Sequence, residues 1–438
     1  MDIERDALRN LMQWKENKYR KPLMLQGARQ VGKTWLLKEF GKRVFDNVAY
    51  FNFDTQPTIK EFFTKTKEPH QIIKFLSFLN HQPIKPNETL IIFDEIQECY
   101  DALNSLKYFC EDSPEYFVSC AGSLLGVAMN KGATFPVGKV DFLYIHPLSF
   151  NEYLSAADSN LLAFLESVDK VEALPEIFFD SLVKRLKEYF ITGGMPDAVV
   201  SIAEKSDVSL TQTVLQNILN AYALDFSKHV ASKDIQKIHY IWSSLPSQLS
   251  RENKKFLYQA VKNGARAREY EDALQWLINA GLIHKIYRSA KPALPISAYD
   301  DLSCFKIYMI DVGILRRLSQ LDPIAISEGN RLFMEFKGAL TENFVLNCLI
   351  RQFETIPRYW ASDNRAELDF LLQYQNEIIA VEVKSDENIR SKSMAFYRKE
   401  FAPKLGLRYS LRNLKYDNGV LNIPLFMADF TKKLLCLL

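Results

Sequence analysis

Three groups of residues in this 438-residue chain have the types and spacings that chemistry on phosphates needs. The first is Gly27-Ala28-Arg29-Gln30-Val31-Gly32-Lys33-Thr34, a G-x-x-x-x-G-K-[ST] loop set between the apolar run PLML and the helical stretch TWLLKEF. Glycines tolerate positive φ, so successive backbone N–H groups can turn inward around phosphate oxygens, and the following helix N-terminus adds positive potential. In such a loop Lys33 reaches the β- and γ-phosphates of ATP, and the Thr34 hydroxyl is a ligand for Mg2+. The second group is Leu90-Ile91-Ile92-Phe93-Asp94-Glu95, an apolar strand ending in two carboxylates. Asp94 is placed to hold hydrated Mg2+ and Glu95 to polarise an attacking water. Taken alone this would read as a buried strand ending in a solvated acidic turn; beside the loop it reads as the second half of a nucleotide site. A neighbouring strand, Tyr116–Cys120, leads into Ala121-Gly122-Ser123, where Ser123 either senses the γ-phosphate or serves a plain turn.

The third group lies near the C-terminus. Ala366-Glu367-Leu368-Asp369-Phe370 alternates, so Glu367 and Asp369 share a strand face; Val381-Glu382-Val383-Lys384 alternates again with Glu382 and Lys384 together. Two such strands paired through the YQNE turn would converge Asp369, Glu382 and Lys384. Asp369 and Glu382 then supply hard oxygen ligands for Mg2+ or Mn2+, and Lys384 orients or activates a water, which is what nuclease chemistry needs. Any amphipathic edge strand can show the same pattern, so a fold with surface charges and no catalysis stays open. Upstream, residues 338–353 place Leu340, Phe344, Val345, Cys348, Leu349 and Phe353 on one helical face, with Glu342 off the centre of that stripe near its N-terminal end.

Composition bounds the rest. With 47% hydrophobic and 25% charged residues the chain is a soluble globular protein, not a disordered one. Its net charge of +2, from 55 basic and 53 acidic residues, argues against a histone-like nucleic-acid coat but leaves room for local basic faces. No apolar run approaches the ~18 residues that span a bilayer, and the opening MDIERDALRN is charged where a signal peptide is apolar. Six scattered cysteines with no CxxC pair suggest free thiols in a reducing cytoplasm and no zinc site. A cytoplasmic protein without a membrane partner is expected.

The elements that must position these residues alternate in the first part of the chain. Strands are expected at Pro22–Leu25, Val48–Phe53, Leu90–Phe93, Tyr116–Cys120 and Val140–Ile145, with helices at Thr34–Phe40, Gln71–Leu79 and Ala102–Glu111 between them. Strand–helix–strand alternation predicts an α/β domain with a parallel sheet over residues 1–154. Residues 155–225 read as helical, interrupted by Gly193-Gly194-Met195-Pro196. Residues 226–318 read as helices followed by a strand pair, the pattern of a winged helix, and 330–438 as an α/β domain that opens with an amphipathic helix.

GARQVGKT, IIFDEIQ, AGSLLG, the PLSFNEYL of 147–154 and the GGMP of 193–196 resemble a prokaryotic ATPase family. Its members join an AAA-type P-loop domain to a C-terminal domain of unknown function, which resembles PD-(D/E)XK nucleases and is preceded by a winged helix. The resemblance implies an AAA-type fold, ATP with Mg2+, a cytoplasmic prokaryotic protein and, as in other AAA proteins, a homo-oligomeric ring. It carries Glu342, Asp369, Glu382 and Lys384 onto the nuclease-type positions. One departure stands out: where the family shows Gly-Arg before PLSF, this chain has Gly138-Lys139. If that arginine is a transition-state finger, Lys139 lacks its planar fork, and slow turnover or a switch is implied.

Two stretches are basic. Residues 228–268 hold nine Lys or Arg against two acids, and 384–415 hold nine against three. Such charge near a phosphate backbone gives salt-sensitive, sequence-neutral affinity; Tyr270–Ala280 would be a recognition helix and 287–299 a wing. Solvated faces, or docking onto acidic neighbours, would look the same. Two functions follow. One is an ATP-hydrolysing enzyme whose cycle gates a metal-dependent nucleic-acid-processing site; the other is an ATP-controlled switch whose nuclease-like fold only binds DNA or a protein.

Overall fold

The computed structural model describes residues 3–122, 136–230, 232–251, 254–328, 334–362, 366–385 and 392–438. Two compact units are present, one built on Glu4–His146 and one on Pro147–Ile278 with Leu282–Leu438.

In the first unit, β1 (Leu23–Gln26), β2 (Asn47–Asn52), β3 (Thr89–Asp94), β4 (Phe117–Ala121) and β5 (Asp141–Tyr144) form a parallel sheet in the order β2-β3-β4-β1-β5. The five strands expected from the sequence are these, shifted by about a residue. Helices α1 (Ala7–Glu16), α2 (Lys33–Val44), α3 (Lys60–Lys65), α4 (Pro69–Leu79) and α5 (Tyr100–Asp112) connect and cover them. β3 is buried at every residue, as a central parallel strand covered on both faces must be, whereas β5 at the sheet edge alternates in exposure. Under β3, the rings of Phe53, Phe63 and Phe93 meet edge to face with centroids 5.5–5.7 Å apart, the arrangement that aromatic quadrupoles favour. Because all five strands run the same way, the loop after β1, Asp94 at the end of β3 and the end of β4 emerge at one edge of the sheet, where open α/β folds place ligands.

The second unit begins with helices α6 (Phe150–Ala157), α7 (Ser159–Ser167), α8 (Glu176–Thr192), α9 (Pro196–Lys205) and α10 (Val208–His229), followed by α11 (Ser232–Leu249), α12 (Tyr258–Val261) and α13 (Ala267–Asn279). The PLSFNEYL stretch opens α6 with a capping box: the Glu152 N–H donates to Ser149 Oγ at 3.1 Å and the Ser149 N–H to Glu152 Oε2 at 2.7 Å. GGMP has a packing reason. A Cβ on Gly193 would stand 2.1 Å from Asp311 Oδ1, and one on Gly194 would stand 2.0 Å from the Leu148 carbonyl oxygen. Only glycine lets the end of α8 close on Asp311, which takes the Gly194 N–H at 2.6 Å and caps α14 (Val312–Leu318) through the Ile314 N–H at 2.8 Å. Burial raises the Asp311 carboxyl to about 6 even though these donors favour its charged form.

Strands β6 (Ile283–Ser289), β7 (Asp300–Met309), β8 (Arg358–Ser362), β9 (Ala366–Tyr374), β10 (Glu377–Val383), β11 (Gly406–Ser410), β12 (Lys415–Asp417) and β13 (Val420–Pro424) form a mixed sheet in the order β12-β13-β11-β10-β9-β8-β6-β7. Helices α15 (Pro323–Ser327), α16 (Met334–Gln352), α17 (Lys392–Phe401) and α18 (Thr431–Leu435) accompany it. The helices and the antiparallel pair β6–β7 expected in 226–318 are present. The pair is not a freestanding wing, however: it forms the margin of the eight-stranded sheet, with β6 bridging to β8 at Arg288–Tyr359. At that margin the Asn343 side chain of α16 accepts the Met309 N–H at 2.7 Å and donates to the Met309 carbonyl at 2.9 Å, so the edge backbone is satisfied without another strand. Among the described residues no helix is long and apolar enough to cross a membrane, and all six cysteines are free thiols.

Candidate functional site

The loop after β1 has the backbone that its glycines and composition call for. Gly27 has φ 137°, Gln30 φ 67° and Gly32 φ 88°. A Cβ on Gly27 would lie 2.2 Å from the Ile145 carbonyl oxygen, so a side chain there would displace the loop. Val31 is fully buried and anchors the loop, while Arg5 donates to the Val31 carbonyl at 3.1 Å and to the His146 carbonyl at 2.8 Å. Gly32 is the N-cap of α2, which begins at Lys33. The Lys33 ammonium turns back over its own loop, donating to the carbonyls of Gly27 at 2.9 Å and Ala28 at 2.7 Å. Burial pushes its pKa down to about 8 against the opposing pull of Glu95 and Asp94.

Thr34 and Asp94 meet. The Thr34 hydroxyl lies 3.2 and 3.0 Å from the two Asp94 oxygens. Asp94 also accepts the Tyr50 hydroxyl at 2.7 Å, the Asn52 amide at 3.5 Å and the Glu95 N–H at 3.1 Å. A hydroxyl and a carboxylate, both hard oxygen donors, beside a loop built for phosphates are the set that suits a hydrated Mg2+. Glu95 adopts a left-handed φ of 50°, which breaks the strand at that residue, and Gln97 donates its amide to the Glu95 carboxylate. Tyr50, whose hydroxyl is raised to about 12 by burial and by Asp94, and Asn52 are positioning residues that the sequence reading missed. Their signal was the parallel register: β2 lies beside β3, with Asn52 opposite Asp94.

Ser123 lies outside the described residues; the strand that leads to it pairs Ala121 with Asp94 on one side and Leu25 on the other. Lys139 stands just before β5 and forms an ion pair with Glu111 at 2.6 Å. Since β5 runs parallel to β1, this is the opposite end of the sheet from the phosphate loop, so Lys139 supplies no charge to the loop of its own chain.

In the second unit the carboxylates fall into separate charge clusters. Glu342, on α16, is buried against the ammonium of Lys254 and receives the Tyr308 hydroxyl at 3.3 Å. Asp369 receives the Val383 N–H at 2.7 Å and interacts with Glu342. Burial would raise both acids. The ammonium groups of Lys254 and Lys306 outweigh it at Glu342 and keep that group ionised, while burial and the charge of Glu342 together push Asp369 up. Glu382 is held instead by Lys384 at 3.1 Å and Arg408 at 3.4 Å. Lys306 pairs with Glu367. Against β10 the pairing of β9 is regular from Tyr374–Glu377 to Phe370–Val381, which carries Asp369 level with Glu382, and the extra residue of β9 lies on its β8 side only. The Asp369 carboxylate bonds the Val383 N–H, while Glu382 is engaged by Lys384 and Arg408. Among the described residues no three or more His, Cys, Asp or Glu side chains are grouped to hold a metal.

The basic stretches are also partly used internally. Lys254 is committed to Glu342, and Lys237 pairs with Asp234 at 2.7 Å. The exposed residues of α13, read as a recognition helix, include Glu269, Glu271 and Asp272 beside Arg268. That face repels a phosphate backbone more than it attracts one.

The parallel sheet, the glycine-bounded loop opening α2 and the Thr34–Asp94 pair define a P-loop ATPase fold. Residues 19–154 match the family described as AAA domain. Residues 183–325 and 337–426 match two families, each described as a domain of unknown function (DUF8612 and DUF4143). The chain is thus an AAA-type P-loop domain followed by two domains of unknown function. No protein of curated function matches the sequence. Among solved structures the chain is similar to the Walker-type ATPase PABY2304 of Pyrococcus abyssi, at 13% identity over 73% of this chain and 96% of that one, with a TM-score of 0.47. It is similar also to the Orc1 protein of Aeropyrum pernix in complex with DNA, at 11% identity over 74% and 95%, with a TM-score of 0.31. For AMPPCP-bound DnaA from Aquifex aeolicus the figures are 13% identity over 62% and 88%, with a TM-score of 0.24. At these values the likenesses carry no functional weight.

Proposed function

We propose that this protein binds and hydrolyses ATP at residues 27–34, with Asp94 and Glu95, and that the nucleotide cycle controls a nucleic-acid-processing, nuclease-like region in the second unit. The observation that carries the reading is the Thr34–Asp94 pair beside the Lys33 ammonium, with all three groups at one end of the sheet. Mg2+ taken between Thr34 and Asp94 would neutralise charge at the β- and γ-phosphates. Lys33 exchanges the Gly27 and Ala28 carbonyls for phosphate oxygens, Tyr50 and Asn52 hold Asp94 in orientation, and Glu95 polarises the attacking water. Assembly with further copies of the chain, as AAA-type proteins do, belongs to the same reading.

Glu342, Asp369, Glu382 and Lys384 are the candidate processing residues, with Asp369 and Glu382 as the metal-holding carboxylates. A second reading, a switch that binds without cutting, is favoured by the ion pairing, because Glu382 is already matched by Lys384 and Arg408. The two readings part in one assay. Labelled single- and double-stranded DNA is incubated with protein, Mg2+ or Mn2+, with and without ATP, beside Lys33→Ala and Lys384→Ala. Cleavage that disappears in Lys384→Ala supports the enzyme; nucleotide-dependent DNA retention without cleavage supports the switch.

The low pKa of Lys33 has a consequence for pH. The amine attracts phosphate only when protonated, and with a pKa of about 8 in the free chain its charged fraction falls roughly tenfold between pH 7 and pH 9. ATP affinity is therefore expected to weaken by about tenfold over that range, and the dependence to flatten in Lys33→Arg. Titration of a fluorescent ATP analogue at both pH values checks this; equal affinities would mean the amine stays charged throughout.

A further inference from the structure

A cavity of about 720 Å3 opens at the β12 margin of the eight-stranded sheet. Arg398 from α17, Arg408 from β11, Arg412 and Lys415 line it, against the acids Glu172 and Asp417. Its rim is held rigidly. Asn413 accepts the Leu174 N–H at 2.8 Å and donates to the Leu174 carbonyl at 2.7 Å, so the 171–173 wall is tied to the 412–414 loop. Asn422 donates to the carbonyls of Arg412 at 3.1 Å and Asn413 at 3.0 Å, and Ser410 fixes the Asn422 amide at 2.8 Å. Side chains on such a rim are preorganised rather than ordered on binding.

The strand register links this cavity to the candidate carboxylates. Glu382 stands opposite Arg408, Arg408 opposite Asn422, and Asn422 opposite Lys415. Directly paired residues share a sheet face, so one row crosses four strands from an acid to a lysine. From Arg408 to Lys415 the row covers two strand spacings, about 10 Å. A single phosphate cannot bridge that span, whereas a strand carrying several phosphates can.

We infer that this cavity seats single-stranded nucleic acid, with Arg412 and Lys415 on its phosphates, leading the strand toward Glu382. The inference rests on the nucleic-acid reading above and assigns its contact surface to the β11–β13 margin rather than to α13. The test is fluorescence anisotropy of a labelled oligothymidylate with the full chain across a salt series, using wild type and Arg412→Ala/Lys415→Ala. A thermal melt that matches wild type reports that the variant is folded. The double variant is expected to lose at least tenfold in affinity, with the slope of log K against log salt shallower by about 1.4, two phosphate contacts at 0.7 each. Oligonucleotide binding that keeps wild-type affinity and slope in the double variant would overturn this site while leaving the nucleic-acid reading intact. No binding of single- or double-stranded DNA by wild type would overturn both. Cavity-dependent binding of AMP or pyrophosphate with none of oligothymidylate would make it a small-anion site and overturn the strand proposal.

Discussion

Replacing Glu95 by Gln is expected to lower ATP turnover by about a hundredfold to a thousandfold while leaving ATP affinity within a few-fold of wild type. The size follows from what a positioned carboxylate contributes when it polarises a water in the transition state, ~10²–10⁴ in rate. The substitution is nearly isosteric, and a glutamine carbonyl can still accept the Gln97 amide that holds the native side chain. The left-handed backbone at Glu95 is set by the chain around it and is no harder for Gln than for Glu. Phosphate release under saturating ATP, together with titration of a fluorescent analogue, separates the two quantities. Unchanged turnover would remove Glu95 from the chemistry; loss of affinity equal to the loss of rate would make it a binding group. Lys33→Ala should do the reverse and abolish binding, because its ammonium sits over the loop itself.

The second large effect concerns stability. Lys254→Met should destabilise the second unit by about 3–5 kcal/mol, since it leaves the Glu342 carboxylate buried without its nearest counter-charge. For a unit of this size that is a fall in Tm of roughly 10 °C. Lys306 remains nearby and limits the loss, and Tyr308 still donates to Glu342. Glu342→Gln in the same background should recover much of it, because the uncompensated charge is then gone. Thermal melts of the wild type and the two variants check this. A Tm for Lys254→Met within a degree or two of wild type would show that Glu342 takes up a proton or finds water instead. The interaction also bears on function: Lys254 comes from one of the two basic stretches, and a lysine whose role is to neutralise a buried acid is withdrawn from any nucleic-acid surface.

Much of the first unit was legible in the residues themselves. GARQVGKT allows few backbone paths, because a loop rich in positive φ must lead directly into a helix, and an apolar run ending in Asp94-Glu95 must be a buried strand with its acids at one end. The tertiary structure decided what those acids meet. Tyr50 and Asn52 reach Asp94 only because β2 pairs beside β3, and Lys139 is remote from the loop only because β5 runs parallel to β1.

In the second unit local pattern reached less far. Period-two alternation placed β9 and β10 and paired them through the Tyr374–Glu377 turn, but it could not reveal that Asp369 takes the Val383 amide or that Arg408 of the next strand reaches Glu382. Nor could charge counting tell a lysine facing water from Lys254 against Glu342. The GGMP motif was visible in the sequence, but its contact with Asp311 spans more than a hundred residues. Sequence determined which segments are strands, which are helices and which loop can cradle phosphates, since backbone preference and burial period are local properties. Only the tertiary structure decided which charges neutralise one another, because that depends on strand register and on long-range packing that no local pattern encodes.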